Sequence, residues 1–258
     1  MYYGRGRVTS AEVQTSRELV RLQRQIEELK AANGKLAHFA YMVSHDLQEP
    51  LRKIAAFTDL LDKALEAGDA AETAYAMDVV RRSSRQARQL LGDLLAYSRS
   101  SLRDLDVQPV DIKTVVDDVL SALSGTIVQT SAILTVSTEP AEVRADRTQL
   151  LQLILNLVSN SLKYFAPGSE PYVEITTRQE ADGTVRLRVQ DRGVGFDMEH
   201  KDTIFEPFTR LVSRSDYEGS GMGLAIAKTI ADRHGWTITA DSAVGEGTTF
   251  EVTFPPAA

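Results

Sequence analysis

Apolar residues in the first third of the chain recur three and four apart: Leu19, Leu22, Ile26, Leu29, Asn33, Leu36, Ala40 and Val43. That is the a/d spacing of a heptad helix, with Leu19, Ile26, Asn33 and Ala40 in one set and Leu22, Leu29, Leu36 and Val43 in the other. Asn33 is the strongly polar seam residue, and a buried Asn at an a position favours a parallel dimer in fixed register. Two readings stay open: a coiled-coil dimer, or a long amphipathic helix packed within its own chain. The register continues through Leu47, Pro50, Ile54, Phe57 and Leu61, and Pro50 is expected to kink the helix. It places His45 at an f position, pointing away from the seam. Glu66 to Asp69 breaks the pattern. A second helix follows to about Ser100, with Met77, Val80, Ala87, Leu90, Leu91, Leu94 and Leu95 on a broad apolar face. A lone hairpin leaves one side uncovered, so two hairpins paired in a four-helix bundle complete it.

The period changes near Leu105 to Pro109. Beyond it, residues 133–137, 172–177, 185–190, 236–240 and 249–254 read as strands. Val185, Leu187 and Val189 alternate with Arg186 and Arg188, as Phe250, Val252 and Phe254 do with Glu251 and Thr253. This fits a sheet with one wet face and one face under helices. Helices are expected over 111–123, 146–165 and 223–234, with Asp111 and Asp146 as N-caps. The fold class is therefore α+β: a helical hairpin followed by an α/β sandwich. The expected division is 1–35 as N-terminal segment and coiled-coil linker, 36–105 as hairpin, and 106–258 as sandwich domain.

Composition alters this picture little. The chain is 43% hydrophobic and 25% charged, with a net charge of -7. The acidic balance gives no footprint for nucleic acid. The absence of cysteine excludes disulfides and thiolate metal sites, and fits a reducing compartment. No apolar run approaches the roughly 18 residues of a membrane helix, and the start lacks the apolar core of a signal peptide. A cytoplasmic location is expected.

Candidate chemistry gathers on the helix expected over 146–165. Asn156, Asn160 and Lys163 fall at i, i+4 and i+7 and share one face of an otherwise apolar helix. Two amides and an ammonium make poor core, but suit a hard metal ion and a polyphosphate. Asp191-Arg-Gly193-Val-Gly195 follows a strand, and its acid would accept a hydrogen bond from an amino group such as adenine's. On its own such a turn is common in hairpins. Gly219-Ser-Gly221-Met-Gly223 leads into Leu224 and a helix N-terminus, a setting that binds anions, although the spacing is neither a Walker loop nor a Rossmann fingerprint. Residues 212–218 before it are polar and lid-like. Phe205 and Phe208 read as an apolar anchor for that lid, and Arg210 as a phosphate partner. Gly245 and Gly247 read as a hairpin turn. His45, followed by Asp46, is the acceptor candidate: a neutral imidazole leaves one nitrogen free for phosphorus, and an adjacent carboxylate holds the tautomer and takes up the proton. His38, His200 and His234 lack such a setting.

Together these residues resemble a sensor histidine kinase over roughly residues 36–255. Residues 39–51 around His45 look like the H box, in a form similar to phytochrome-type kinases. Residues 156–164 look like the N box, and residues 191–195, 205–208 and 219–223 like the G1, F and G2 boxes. The resemblance implies a dimerisation and phosphotransfer hairpin, then an ATP-binding domain of the GHKL (Bergerat) type shared with Hsp90, gyrase and MutL. It implies ATP and Mg²⁺ as cofactors, with Asn160 ligating the metal and Asn156 beside it. Lys163 and Arg210 would meet phosphates, Tyr164 would pack near the base, and Asp191 would recognise the adenine amino group. Gly193 and Gly195 would shape the base pocket; Gly219, Gly221, Gly223 and Leu224 would form the phosphate side. His45 would take the γ-phosphoryl group with Asp46 assisting, and pass it to an aspartate of a response regulator receiver domain. The implied assembly is a homodimer through bundle and coiled coil, with the upstream sensor domain absent from this chain.

Three positions depart from the family pattern: Glu49 where Thr or Asn is common, Arg192 in place of Asn, and Trp236 where a second glycine often follows His-Gly. Two rival readings fit less well. A clamp-type ATPase places a Glu where Asn156 stands, and an amide is no base for water. A scaffold that had lost ATP chemistry would not need Asn160, Lys163, Asp191 and the glycine sets.

Overall fold

A computed structural model describes residues 10–102, 104–211, 217 and 219–256. Helix α1 (Ser10–Ala67) runs for 58 residues and α2 (Ala70–Leu102) for 33. Gly68, at φ +70°, closes α1. Its N–H bonds to the Leu65 carbonyl and that of Asp69 to the Ala64 carbonyl, the paired pattern of a left-handed helix stop. The Asp69 carboxylate then accepts the Glu72 N–H at 2.9 Å and starts α2. The hairpin is therefore turned by two residues. Its inner side buries Ala64 and Ala76, and Phe57 meets Tyr75 edge-on at 5.7 Å. Leu51, Leu65, Leu91 and Leu95 stay about half exposed, as expected of a hairpin with one open side.

Helical structure continues without a break through the buried Pro50. Along the expected seam Leu22, Ile26, Asn33 and Ala40 are exposed; the side chains of Leu19, Leu29 and Leu36 lie outside the described residues.

The second part is a mixed sheet under helices. A two-stranded antiparallel ribbon pairs β1 (Gln108–Asp111) with β3 (Glu142–Ala145). The main sheet joins β2 (Ile133–Thr138), β4 (Tyr172–Gln179), β5 (Val185–Asp191), β7 (Gly247–Phe254) and β6 (Thr237–Ala243), in that order. The β2–β4 pair is parallel and the others are antiparallel. Helices α3 (Ile112–Ala122), α4 (Ser124–Thr130), α5 (Arg147–Lys163) and α6 (Gly223–His234) complete it. Leu150, Leu153, Leu157, Ile226 and Ile230 of α5 and α6 form one core with Val173, Leu187, Val189 and Val252 of the sheet. On the other face Arg186 reaches Glu251 at 2.7 Å. The predicted alternation thus holds on β5 and β7.

Both expected N-caps form. Asp111 accepts from the N–H groups of Lys113 and Thr114, and Asp146 from those of Thr148 and Gln149. Each is worth about 1 kcal/mol to its helix. Trp236 follows Gly235, which is at φ +71°, and its N–H bonds to the Ala231 carbonyl at 2.8 Å. It is the buried residue just past a left-handed helix stop, stacked 4.1 Å from His234 and edge-on to Phe254. That accounts for a large side chain where a glycine is common. The ribbon β1–β3 and α4 were not expected from sequence.

Candidate active site

Helix α5 buries Leu153, Leu157, Val158 and Leu162 and turns Asn156, Asn160 and Lys163 to a half-buried stripe. Asn160, Tyr164, Asp191, Gly195, Arg210 and Leu224 line one cavity together with Thr248 and Phe250. Asn156, one turn earlier on α5, is not among the residues that line it. Its carbonyl oxygen accepts from Gln152 at 3.1 Å, while its amide nitrogen is buried without a partner. A buried orphan donor costs free energy until something accepts from it.

Asp191 ends β5 and is 6% exposed. Its Oδ1 accepts the N–H groups of Gly193 at 2.9 Å and Thr248 at 3.0 Å, and its Oδ2 accepts the Ser161 hydroxyl at 3.0 Å. Burial pushes its carboxyl up from the ordinary value, and those three donors oppose the shift. The glycines here are required by space. A Cβ on Gly193 would sit 2.1 Å from the Tyr164 carbonyl oxygen, and one on Gly195 2.0 Å from that of Ala243. Gly247, assigned only to a turn by sequence, would drive a Cβ to 2.1 Å from the Asp191 carbonyl oxygen. Arg192 points elsewhere: its guanidinium lies 4.1 Å above the Tyr172 ring, a cation–π contact.

The glycine loop before α6 closes the other side. Arg210 donates to the carbonyls of Gly219 and Tyr217, so its guanidinium fastens the loop, and its Nε is buried without a partner. Tyr217 donates to the Phe165 carbonyl at 2.7 Å and packs 5.3 Å from Tyr164. Residues 212–216 and 218 of the expected lid lie outside the described residues. Lys163 donates to the Tyr164 hydroxyl at 2.7 Å, and a Cβ on Gly219 would strike its Nζ. Phe205 and Phe208 pack against the core, and Phe208, at φ 64°, donates its N–H to the Gly221 carbonyl at 3.1 Å. Gly223 opens α6 with the Asn156 carboxamide at 3.8 Å from where its Cβ would be.

A hydrogen bond joins this loop to the hairpin. Ser220 donates to Asp93 of α2 at 2.5 Å, and Gln89 donates to the same carboxylate at 2.9 Å. Burial pushes the Asp93 carboxyl up, with these bonds and the nearby Lys163 charge acting against it.

His45 lies on α1 with 62% of its side chain exposed, and Asp46 is buried beside it. His45 Nδ1 is 3.1 Å from Asp46 Oδ1. A carboxylate only accepts, so this contact puts the ring hydrogen on Nδ1 and leaves the Nε2 lone pair free. His45, Gln48, Glu49 and Arg52 line a shallow groove, and Glu49 pairs with Lys53 at 2.9 Å. His45 and the cavity therefore stand on separate parts of the fold.

Comparison with known proteins matches both parts. Residues 35–102 match the His Kinase A (phospho-acceptor) domain, and residues 145–258 match the histidine kinase-, DNA gyrase B- and HSP90-like ATPase family. The chain belongs to the sensor histidine kinases. It is 35% identical over 238 residues to the phytochrome-like protein Cph1 of Synechocystis sp., covering 92% of this chain and 31% of that protein. The chain thus spans under a third of the length of this relative. The mycobacterial sensor histidine kinase MprB superposes with a TM-score of 0.51 at 28% identity, over 58% of this chain and 99% of that one. Histidine kinase ThkA, in a crystal structure with the response regulator protein TrrA, gives a TM-score of 0.65 over 98% of this chain and 68% of that one. At 22% identity that likeness is one of fold.

In this histidine kinase sequence reasoning missed Ser161, Thr248 and Asp93. Ser161 carried a signal, since a serine between two buried apolar positions of α5 needs a partner. Thr248 contributes a backbone N–H, which every residue but proline has. Asp93 interrupts the apolar run Leu90-Leu91-Gly92-Asp93-Leu94-Leu95, so an acid there carried a signal, but nothing in the sequence named Ser220 as its partner.

Proposed function

We propose that the chain is the transmitter core of a two-component signalling pathway. It takes the γ-phosphoryl group of ATP onto His45 and passes it to an aspartate of a response regulator receiver domain. The observation that carries the reading is the His45–Asp46 pair: an exposed imidazole with Nδ1 held and Nε2 free. Residues 36–105 are assigned to dimerisation and phosphotransfer, 106–258 to ATP binding, and 1–35 to a linker from a sensor. Two hairpins pair through their open apolar sides, Leu51, Leu91 and Leu95 among them.

ATP is assigned to the cavity, with Asp191 at the adenine amino group, Tyr164 near the base, and Gly195 and Leu224 in the walls. The loop from Gly219 to Gly223 and the α6 N-terminus serve the phosphates. Mg²⁺ fits the donor set. Among the described residues no group of three or more His, Cys, Asp or Glu would cage a metal. Asn160 offers one hard oxygen, which suits an ion held by one side chain and by phosphates. The metal supplies charge neutralisation at the phosphates when bound. Lys163 adds a cation, and Arg210 does so once released from the loop carbonyls.

In the transfer, His45 Nε2 forms a bond to the γ-phosphorus. The bond from that phosphorus to the bridging oxygen breaks, and ADP leaves with the electron pair. The ring becomes cationic, and Asp46 stabilises or accepts the Nδ1 proton. The protein's work is positioning and charge, as phosphoryl transfer requires. Movement about residues 102–109 would bring the cavity to His45.

Incubation with γ-labelled ATP and Mg²⁺ tests this. The chain should acquire an acid-labile, base-stable label that is lost in His45→Gln and in Asn160→Ala. Label that persists in His45→Gln would refute the acceptor.

A further inference from the structure

In the proposed function Asp191 reads the base, and the role of its neighbour Ser161 rests on that reading. The hydrogen bonds of Asp191 can be counted. A carboxylate offers about four lone-pair directions, two on each oxygen. Oδ1 accepts from the N–H groups of Gly193 and Thr248, at 2.9 and 3.0 Å, and both its directions are filled. Oδ2 accepts the Ser161 hydroxyl at 3.0 Å. One direction remains, and Asp191 lines the cavity. A helical serine ordinarily donates to the carbonyl one turn earlier. Ser161 is 2% exposed and spends its hydroxyl on a strand end 30 residues away.

We infer that Ser161 is a positioning residue for base selection, whose hydroxyl fills one side of Asp191 Oδ2 and leaves a single acceptor position for an exocyclic amino group. A 6-amino purine supplies that donor. A 6-keto purine sets oxygen against oxygen and leaves a buried acceptor unpaired, the situation in which polar sites discriminate strongly. Burial raises the Asp191 carboxyl above its ordinary value, and without the Ser161 hydroxyl one of the three donors that oppose this rise is gone. A protonated carboxyl carries an O–H, and that donor suits the 6-keto group.

The test uses the full chain with two nucleotides, ATP and inosine triphosphate, which differ in the group at purine position 6. Each is titrated into wild type, Ser161→Ala and Ser161→Thr, and labelling kinetics are measured with ATP. In Ser161→Ala, ATP affinity should fall about tenfold and the preference for ATP over inosine triphosphate should shrink by at least that factor. The rate at saturating ATP should stay near wild type, with the loss carried by KM. Ser161→Thr keeps the hydroxyl and should keep the preference. Equal weakening of both nucleotides in Ser161→Ala would indicate packing alone and overturn the role, as would an unchanged preference. A wild-type chain that binds neither nucleotide would instead sink the nucleotide reading itself.

Discussion

His234 ends α6 with its ring stacked on Trp236 and its Nε2 accepting the Asp146 N–H at 3.1 Å. Nδ1 faces the Ile230 carbonyl at 2.9 Å, so this nitrogen carries the hydrogen and the neutral tautomer satisfies both contacts. Burial holds the imidazole below its ordinary value; Asp146 opposes that shift and Arg233 adds to it. The unfolded chain takes up its proton near about pH 6.5. The folded chain resists, so the contribution of this residue is complete above that pH and is lost as pH falls through the depressed folded value. Subtracting the melting temperatures of His234→Gln from those of wild type between about pH 8 and pH 5.5 isolates the effect. The difference should shrink toward the acid end, and a constant difference would contradict the assignment. At this scale the sequence singled out residues by their type: Asp191 and Asn160, which the fold brings to one cavity, and His45, which it leaves exposed on α1. It did not reveal His234 as a cap partner. That role depends on Asp146 arriving 88 positions away in sequence.

Among the elements, the long helices and the three core-facing strands β4, β5 and β7 were legible because each repeats its period several times. Strands β1 and β3 have four residues each, with Val110 and Val143 as their main apolar anchors, too few to display alternation. Helix α4 buries none of its seven residues, so no amphipathic stripe marks it. The contact of α2 with the glycine loop is likewise invisible in either segment alone. Asp93 places a carboxylate on Ser220, within the loop assigned to phosphates, and near the Lys163 charge. An anion already resident there competes with the nucleotide. Asp93→Ala should therefore bind a non-hydrolysable ATP analogue several-fold more tightly than wild type, while adenosine affinity stays the same. Equal or weaker binding of the analogue would reduce the contact to a structural one. Arg233 of α6 also donates to the Ser100 carbonyl of α2, so the two parts share a second tie.

For the whole molecule the open side of the hairpin sets the expectation. Leu91 and Leu95 are 48% and 46% exposed one turn apart on α2, a poor surface for a monomer in water. In light scattering the wild-type chain should run as a dimer and the double variant Leu91→Glu, Leu95→Glu as a monomer. A dimer that survives both charges would place the interface elsewhere, with the α1 segment before residue 40 next in line. The arrangement also keeps the two chemical halves apart: His45 stands on α1 and faces solvent, and the cavity lies between α5, β5 and the loop before α6. The account requires them to meet. Its most direct test is to incubate the chain with ATP and Mg²⁺, digest it at neutral or alkaline pH, and locate the phosphate by tandem mass spectrometry. The prediction is one phosphate on the imidazole of His45. Phosphate on a serine, threonine or tyrosine, or ATP consumed while His45 stays unmodified, would contradict it.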